Sequence, residues 1–256
     1  MFSDLEIRIL VCKQDIEMCL NMINSLQKYD EFKHIPIFVH SDGSLDIESK
    51  NTLIELGNTY IIEKEYADSK ILEYINDYVS CKRYRFEKNK LFNLTKMKLF
   101  DFFFLSKSKN ILCIDSDVLF MNKPNMIIDF INASTPFYFP DFQNSYSFCK
   151  STKTKTLEKV NVGIFYIPSE IHYNINSIEF ALNDLFTIGM TNSDWIEQSA
   201  WSYMYYTDGC YVSLDDVKYQ IPNPYNSTSD DIEALHFVGH PPIRGMYDGF
   251  LKREYL

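Results

Sequence analysis

The sequence predicts an α/β protein of three layers, with helices covering both faces of a mostly parallel central sheet. Three observations carry that expectation. Short apolar runs alternate with helical stretches in the order strand, helix, strand, helix, strand, which calls for right-handed crossovers. The strands read as unbroken apolar runs, as strands covered on both faces do. The 256 residues, 46% apolar and 16% aromatic, supply a large core with no stretch that reads as an interdomain linker. Residues 1–256 are therefore expected to form one domain, and the composition argues against disorder.

Each element has its own signal. "EIRILVCK" reads as a buried strand. Asp15 then stands where a helix cap belongs, before Ile16, Cys19, Leu20, Ile23 and Leu26 at the 3.6-residue period. "IPIFVHSDG" is a second strand closed by an Asp42–Gly43 turn, and a helix from Asp46 to Leu56 stops at Gly57. "TYIIEKE" is the third strand. Residues 66–90, polar and rich in Tyr, read as helices or loops on the rim. "LTKMKLFDFFFLSKS" is long enough for a helix and feeds a strand at 110–114; "MIIDFI" is a short helix after Pro124. The charged run "STKTKTLEK", 151–159, lacks core residues and is expected to be a mobile loop over a site. "VNVGIFYIP" is another buried strand, followed by helices near 176–187 and 194–206 and a tail of short strands.

Charge and cysteine usage narrow the function. With 25 Lys+Arg against 35 Asp+Glu the formal charge is −10, which disfavours a nucleic-acid surface and points to no nucleic-acid partner. The six cysteines form no CxxC pair and are expected to be reduced thiols. The opening "MFSDLEIRIL" has acids where a cationic leader would be, and no apolar run approaches the ~18 residues of a membrane span. The expected location is cytoplasmic, and the three Asn-x-Ser/Thr triplets are read as chance.

The stretch "ILCIDSDVLF" carries the chemistry. An apolar strand runs into Asp115 and Asp117, which period two puts on one side of an extended backbone with Ser116 on the other. Two adjacent carboxylates at a buried strand end repel unless a cation lies between them. Hard oxygen ligands in a small set suit Mg²⁺ or Mn²⁺ bound together with a nucleotide diphosphate. Ligands of open parallel sheets bind beyond the carboxyl ends of the strands, so Lys13 and Asp42, at two other strand ends, are candidate substrate-binding residues.

Four segments, in order, resemble the GT-A class of nucleotide-sugar glycosyltransferases, and most closely the retaining family that includes glycogenin and the bacterial lipopolysaccharide galactosyltransferases. "ILCIDSDVLF" is similar to that family's Asp-x-Asp strand, "NVGIFYI" to its Asn-x-Gly strand, "DWIEQSAW" to its Asp-Gln helix, and "HFVG" to the start of its C-terminal His-x-x-Gly motif. Where the family continues to Lys-Pro-Trp, this chain reads "HFVGHPPIRGMY": Pro242 takes the Lys place and Arg244 is the nearest cation. Glu197 stands where the family has Asp.

The resemblance implies a GT-A fold and transfer of a hexose from a UDP-sugar, with Mn²⁺ or Mg²⁺, to a glycan, lipid or protein acceptor. A lipid-linked acceptor would bring the protein to a membrane surface. It implies Asp115, Asp117 and His236 as metal ligands, and Asn161, Ser116, Gly239 and Arg244 among the substrate-binding residues. It also implies that a basic residue of the preceding helix, Lys96 or Lys98, contacts the donor. In a retaining reaction Gln198 would lie beneath the anomeric carbon; in an inverting one Glu197 or Asp194 would deprotonate the acceptor hydroxyl. Two rival readings share the motif. One is a haloacid-dehalogenase-type phosphatase with Asp115 as nucleophile; the other is a GT-A-like domain that binds nucleotide sugars or glycans without turnover.

Overall fold

The computed structural model of the protein describes residues 2, 4–87, 95–108, 110–141, 155–171, 174–190, 193–222, 230–238 and 246–247. In chain order the elements are β1 (Leu5–Val11), α1 (Ile16–Gln27), β2 (Ile37–Ser41), α2 (Ile47–Ile54), β3 (Thr59–Ile62), α3 (Lys64–Ile75), α4 (Val79–Phe86) and α5 (Thr95–Phe104). Next come β4 (Asn110–Ile114), β5 (Val118–Phe120), α6 (Asn125–Asn132), β6 (Phe137–Pro140), β7 (Val160–Ile167), α7 (Ile175–Thr187) and α8 (Ser193–Asp208). Three short strands complete the fold: β8 (Val212–Ser213), β9 (Tyr219–Gln220) and β10 (Ala234–His236).

The main sheet has seven strands in the order β3-β2-β1-β4-β7-β6-β8. β1 runs parallel to both β2 and β4, and β2 parallel to β3, as the alternating sequence pattern predicts. β7 is antiparallel to β4 and to β6, so the sheet is mostly rather than wholly parallel. One face buries α1 and α6 through Cys19, Ile23, Leu26, Ile127 and Ile131. The other buries α5, α7 and α8 through Leu99, Phe102, Ile178, Leu182 and Trp201. This is the expected three-layer arrangement. No helix among the described residues is long and apolar enough to cross a membrane.

Some local expectations are corrected. Asp15 occupies the N-cap position of α1 but makes no capping hydrogen bond. A 3₁₀ turn over Lys13–Asp15 precedes the helix, and the Asp15 carboxylate instead accepts the Cys12 thiol at 3.0 Å. Asp46 does cap α2, its carboxylate accepting the Ser49 amide at 2.9 Å. The third strand ends at Ile62, and the "KE" of "TYIIEKE" already belongs to α3. Within the charged run 151–159, residues 151–154 lie outside the described residues. The base of that loop is closed by a hydrogen bond from Asp141 N to Lys159 O of 2.7 Å.

Two polar networks set the helices that flank the site. In β1, Glu6 and Arg8 point to the same buried face, and Arg8 Nε donates to Glu6 Oε1 at 2.6 Å. The guanidinium also donates to Leu105 O and lies 2.9 Å from His40 Nε2. Glu6 Oε2 accepts the amides of Lys107 and Ser108. The pair thus pins the α5–β4 connection to the sheet with its hydrogen bonds met, the condition for a buried ion pair to be tolerated. Burial and the Arg8 charge hold the His40 imidazole well below its ordinary range, so it stays neutral.

The second network caps α4 from another helix. The Ser80 and Cys81 amides, in the first turn of α4, donate to Glu179 of α7 at 2.9 Å each, where Tyr78 supplies no cap of its own. Glu179→Ala is expected to cost about 1–2 kcal/mol, the usual loss for a helix cap. At this chain size that is roughly 2–8 °C in Tm, measured by calorimetry. Glu179→Gln should recover part of the loss, because its amide oxygen still accepts; an unchanged Tm in the alanine variant would contradict this role.

Candidate metal centre

Asp115 and Asp117 are brought together by a turn, not by the pleat of a strand. β4 ends at Ile114, and the Val118 amide donates back to Asp115 O at 3.2 Å, so residues 115–117 form a tight bend. This corrects the extended-backbone expectation. The physical reason is that the chain must leave the main sheet here, because β5 joins a second sheet of order β5-β10-β9.

That second sheet delivers the third candidate ligand. β10 pairs antiparallel with β5, His236 opposite Val118, and the Phe237 amide donates to Asp117 O at 2.9 Å. His236 therefore sits on the bend that carries the aspartates, although it lies more than a hundred residues away in sequence. β10 is anchored in turn by Glu233, which accepts the Tyr219 hydroxyl at 2.5 Å and the Lys218 ammonium at 3.2 Å.

The His236 ring is 1% exposed, and neither ring nitrogen makes a hydrogen bond. Nε2 lies 3.1 Å from Asp117 Oδ1 and 3.6 Å from Asp115 Oδ2, close but without the alignment of a hydrogen bond. One ligand atom from each of the three residues fits within 4.8 Å of the others. A buried imidazole nitrogen lacking a partner is costly, and facing two carboxylates it is a ready metal ligand. Two oxygens and one nitrogen are a donor set suited to a divalent cation with positions left open.

Gly163 makes room for this ring. The Asp115 amide donates to Gly163 O at 2.8 Å, and the β6–β7 register shifts beside it, Tyr138 pairing with Phe165 but Phe139 with Asn161. A Cβ on Gly163 would lie 2.8 Å from His236 Nε2 and closer still to Cε1 and Nδ1. Phe139 meets the imidazole edge to face at 5.4 Å. Asn161, buried, spends its carboxamide oxygen on the Gly163 amide at 2.8 Å, so in this structure it shapes the bulge. A glycine inside a bulky strand is the sequence sign of such close approach.

A buried cation completes the cluster. Lys98 Nζ donates to both oxygens of Asp115, at 2.8 and 3.0 Å, and lies 3.6 Å from Glu197 Oε1. Burial alone would lower the Lys98 ammonium, but the charges of Asp115 and Glu197 outweigh it and hold its pKa up. Burial raises the Asp115 carboxyl, against Lys98 and with the like charge of Asp117. For His236 the pull of burial is overcome by Asp117 and Asp115, and its pKa rises. The Asp115 shift thus registers chiefly its burial, and the His236 shift the negative charge of the two aspartates beside it.

The remaining sequence-predicted residues fall at the same end of the sheet or outside the described chain. Lys13 donates its amide to Ser44 Oγ at 2.8 Å and pairs with Asp46 at 2.7 Å, an exposed link. Asp42 Oδ1 accepts the Ser44 amide and hydroxyl at 2.9 and 2.6 Å. These contacts tie together the ends of β1 and β2 next to β4. Ser116 is nearly buried in the bend, and Gln198, half-buried, comes directly after Glu197 on α8. Lys96 turns away: its ammonium donates to Glu87 O at 2.9 Å, and burial and Arg85 lower its pKa. Of the two lysines left open by spacing, Lys98 is the one that reaches the aspartates. Gly239 and Arg244 lie outside the described residues, as do the side chains of Asp194 and Trp195.

A mostly parallel sheet, a second small sheet entered from the end of β4 and an acidic pair at that junction fit the GT-A glycosyltransferase fold. Solved structures bear this out. The chain superposes on the galactosyltransferase LgtC, crystallised with donor and acceptor sugar analogues, with TM-score 0.62 and 11% identity over 91% of this chain and 87% of that one. It superposes on mouse xyloside xylosyltransferase 1 with TM-score 0.60 and 10% identity over 94% and 99%. The match to the bifunctional glycosyltransferase WbbM has TM-score 0.61 and 11% identity, over 93% of this chain and 46% of that one. In sequence, no family model and no curated protein matches. The fold replaces the haloacid-dehalogenase reading of the Asp-x-Asp motif.

Proposed function

We propose that the protein is a metal-dependent glycosyltransferase that moves a hexose from a UDP-sugar to a glycan, lipid or protein acceptor, with retention. The observation that carries this reading is His236, buried and without a hydrogen bond, set against Asp115 and Asp117 at the end of a GT-A sheet. Asp115, Asp117 and His236 would hold Mn²⁺ or Mg²⁺, and the bound ion would neutralise the diphosphate charge that grows as the sugar bond breaks. Lys13 and Asp42, at neighbouring strand ends, are read as nucleotide contacts. Glu197 approaches Lys98 from α8, and Gln198 is the next residue of that helix; the sugar would lie beside them. LgtC has been crystallised as an active-site variant with a glutamine replaced by glutamate, which supports placing Gln198 at the reacting carbon. We read residues 1–256 as one domain working in the cytoplasm, at a membrane surface where its acceptor is lipid-linked.

The test is UDP release from a panel of UDP-sugars. Slow release with Mn²⁺, stopped by EDTA, is expected for at least one hexose donor, and acceptor addition should accelerate it. Metal-dependent UDP binding with no release from any donor would instead identify a binding module and overturn the catalytic claim.

A further inference from the structure

We propose that Lys98 competes with the metal for Asp115 and thereby makes metal binding depend on the diphosphate. The inference rests on the reading of Asp115, Asp117 and His236 as the metal site. Lys98 Nζ holds Asp115 Oδ2 at 3.0 Å, and that same oxygen is the one 3.6 Å from His236 Nε2. An ion reaching toward His236 must therefore take an oxygen that already has a cation on it.

The surroundings decide how the ammonium can respond. The Lys98 and Glu197 side chains are 5% and 2% exposed, so the ammonium has little water to retreat into. It can lean toward Glu197 Oε1, 3.6 Å away, without leaving the cluster. A divalent ion alone would put two cations around one carboxylate, in a setting where charges interact more strongly than in water. When a diphosphate arrives on the ion, its negative charge offsets that repulsion and gives the ammonium a second anion to face. The ion then binds weakly alone and tightly with the nucleotide, and by linkage the nucleotide gains the same factor from the ion. Glu197 acts as the alternative partner that lets Lys98 release Asp115.

Opposite substitutions separate this from mere structural damage. Mn²⁺ is titrated into wild type, Lys98→Met and Glu197→Gln, with and without UDP, free Mn²⁺ being read by electron paramagnetic resonance and Tm recorded without metal. Wild type should show coupling between Mn²⁺ and UDP within the usual span of about 5- to 150-fold. Lys98→Met should bind Mn²⁺ alone on the order of tenfold more tightly, since one unit of opposing charge is gone, with the coupling reduced to what direct contact between ion and diphosphate supplies. Glu197→Gln should bind Mn²⁺ alone more weakly, because Lys98 is then held by Asp115. Equal or weaker Mn²⁺ binding by a folded Lys98→Met, or equal or tighter binding by Glu197→Gln, overturns the competition while leaving the metal site standing. Absence of Mn²⁺ binding by wild type in the presence of UDP overturns the metal reading itself, and the competition with it.

Discussion

Asp117→Ala abolishes metal-dependent UDP binding and leaves the metal-free melting temperature almost unchanged: that is the first result expected. The carboxylate is a quarter exposed, at 25%, and its removal has two opposed effects: it relieves repulsion from Asp115 and withdraws the anion that faces the buried His236 ring at 3.1 Å. The backbone hydrogen bond from Phe237 N to Asp117 O survives an alanine. Because the two effects oppose each other, the metal-free stability change should stay within about 1 kcal/mol, the centre of the range for single substitutions. Metal affinity should fall by more than ~100-fold, beyond the 10–100-fold typical of losing a group that only supports a ligand. Calorimetric titration of UDP with and without Mn²⁺ reads both quantities. UDP affinity that stays metal-dependent and undiminished in this variant would refute the ligand assignment.

Gly163→Ala has the second large effect, and it acts through His236. The added Cβ would lie 2.8 Å from Nε2 and nearer still to two other ring atoms. The ring cannot step aside, since it is buried with Phe139 edge-on and Asp117 close by. Overpacking of a core costs about 1–3 kcal/mol, and this site belongs at the top of that range. For a chain of this size, that is roughly 6–12 °C in Tm. Metal-dependent UDP binding should be lost together with stability. In a His236→Ala background the same Gly163→Ala change should cost little stability, giving a strongly non-additive cycle. Additive losses would show that the imidazole does not occupy the space beside Gly163.

Local signals in the sequence reached much of this architecture. β1, β2 and β4 announced themselves as apolar runs, and the strand–helix alternation from β1 to β3 carried the mostly parallel character of the sheet, while the strand order came only with the structure. The Asp-x-Asp pair was legible as a candidate metal site, but for an incomplete reason: period two suggested an extended strand, whereas the chain bends at residues 115–117 to enter a second sheet. Long-range contacts stayed hidden. The approach of His236 to Gly163 joins β10 to β7, and the strand glycine marks a close approach without saying by what; the cap that Glu179 gives α4 comes from α7 and leaves no mark in its own neighbourhood. Asp15 and Asp46 have similar local contexts, yet only Asp46 caps, because a 3₁₀ turn precedes α1. Lys96 and Lys98 lie about 200° apart around a helix, so only one could face the aspartates. Which one depended on how α5 docks against β4, a matter of packing that spacing does not encode.

The central claim is that a divalent ion held by Asp115, Asp117 and His236 carries the diphosphate of a sugar nucleotide. Diffraction from crystals soaked with Mn²⁺ and UDP, collected at a wavelength where manganese scatters anomalously, tests it most directly. The account predicts one strong anomalous peak within about 2.0–2.6 Å of an oxygen of each aspartate and of a His236 nitrogen, with diphosphate oxygens completing the shell. A well-ordered UDP with no anomalous density among these three side chains would contradict it.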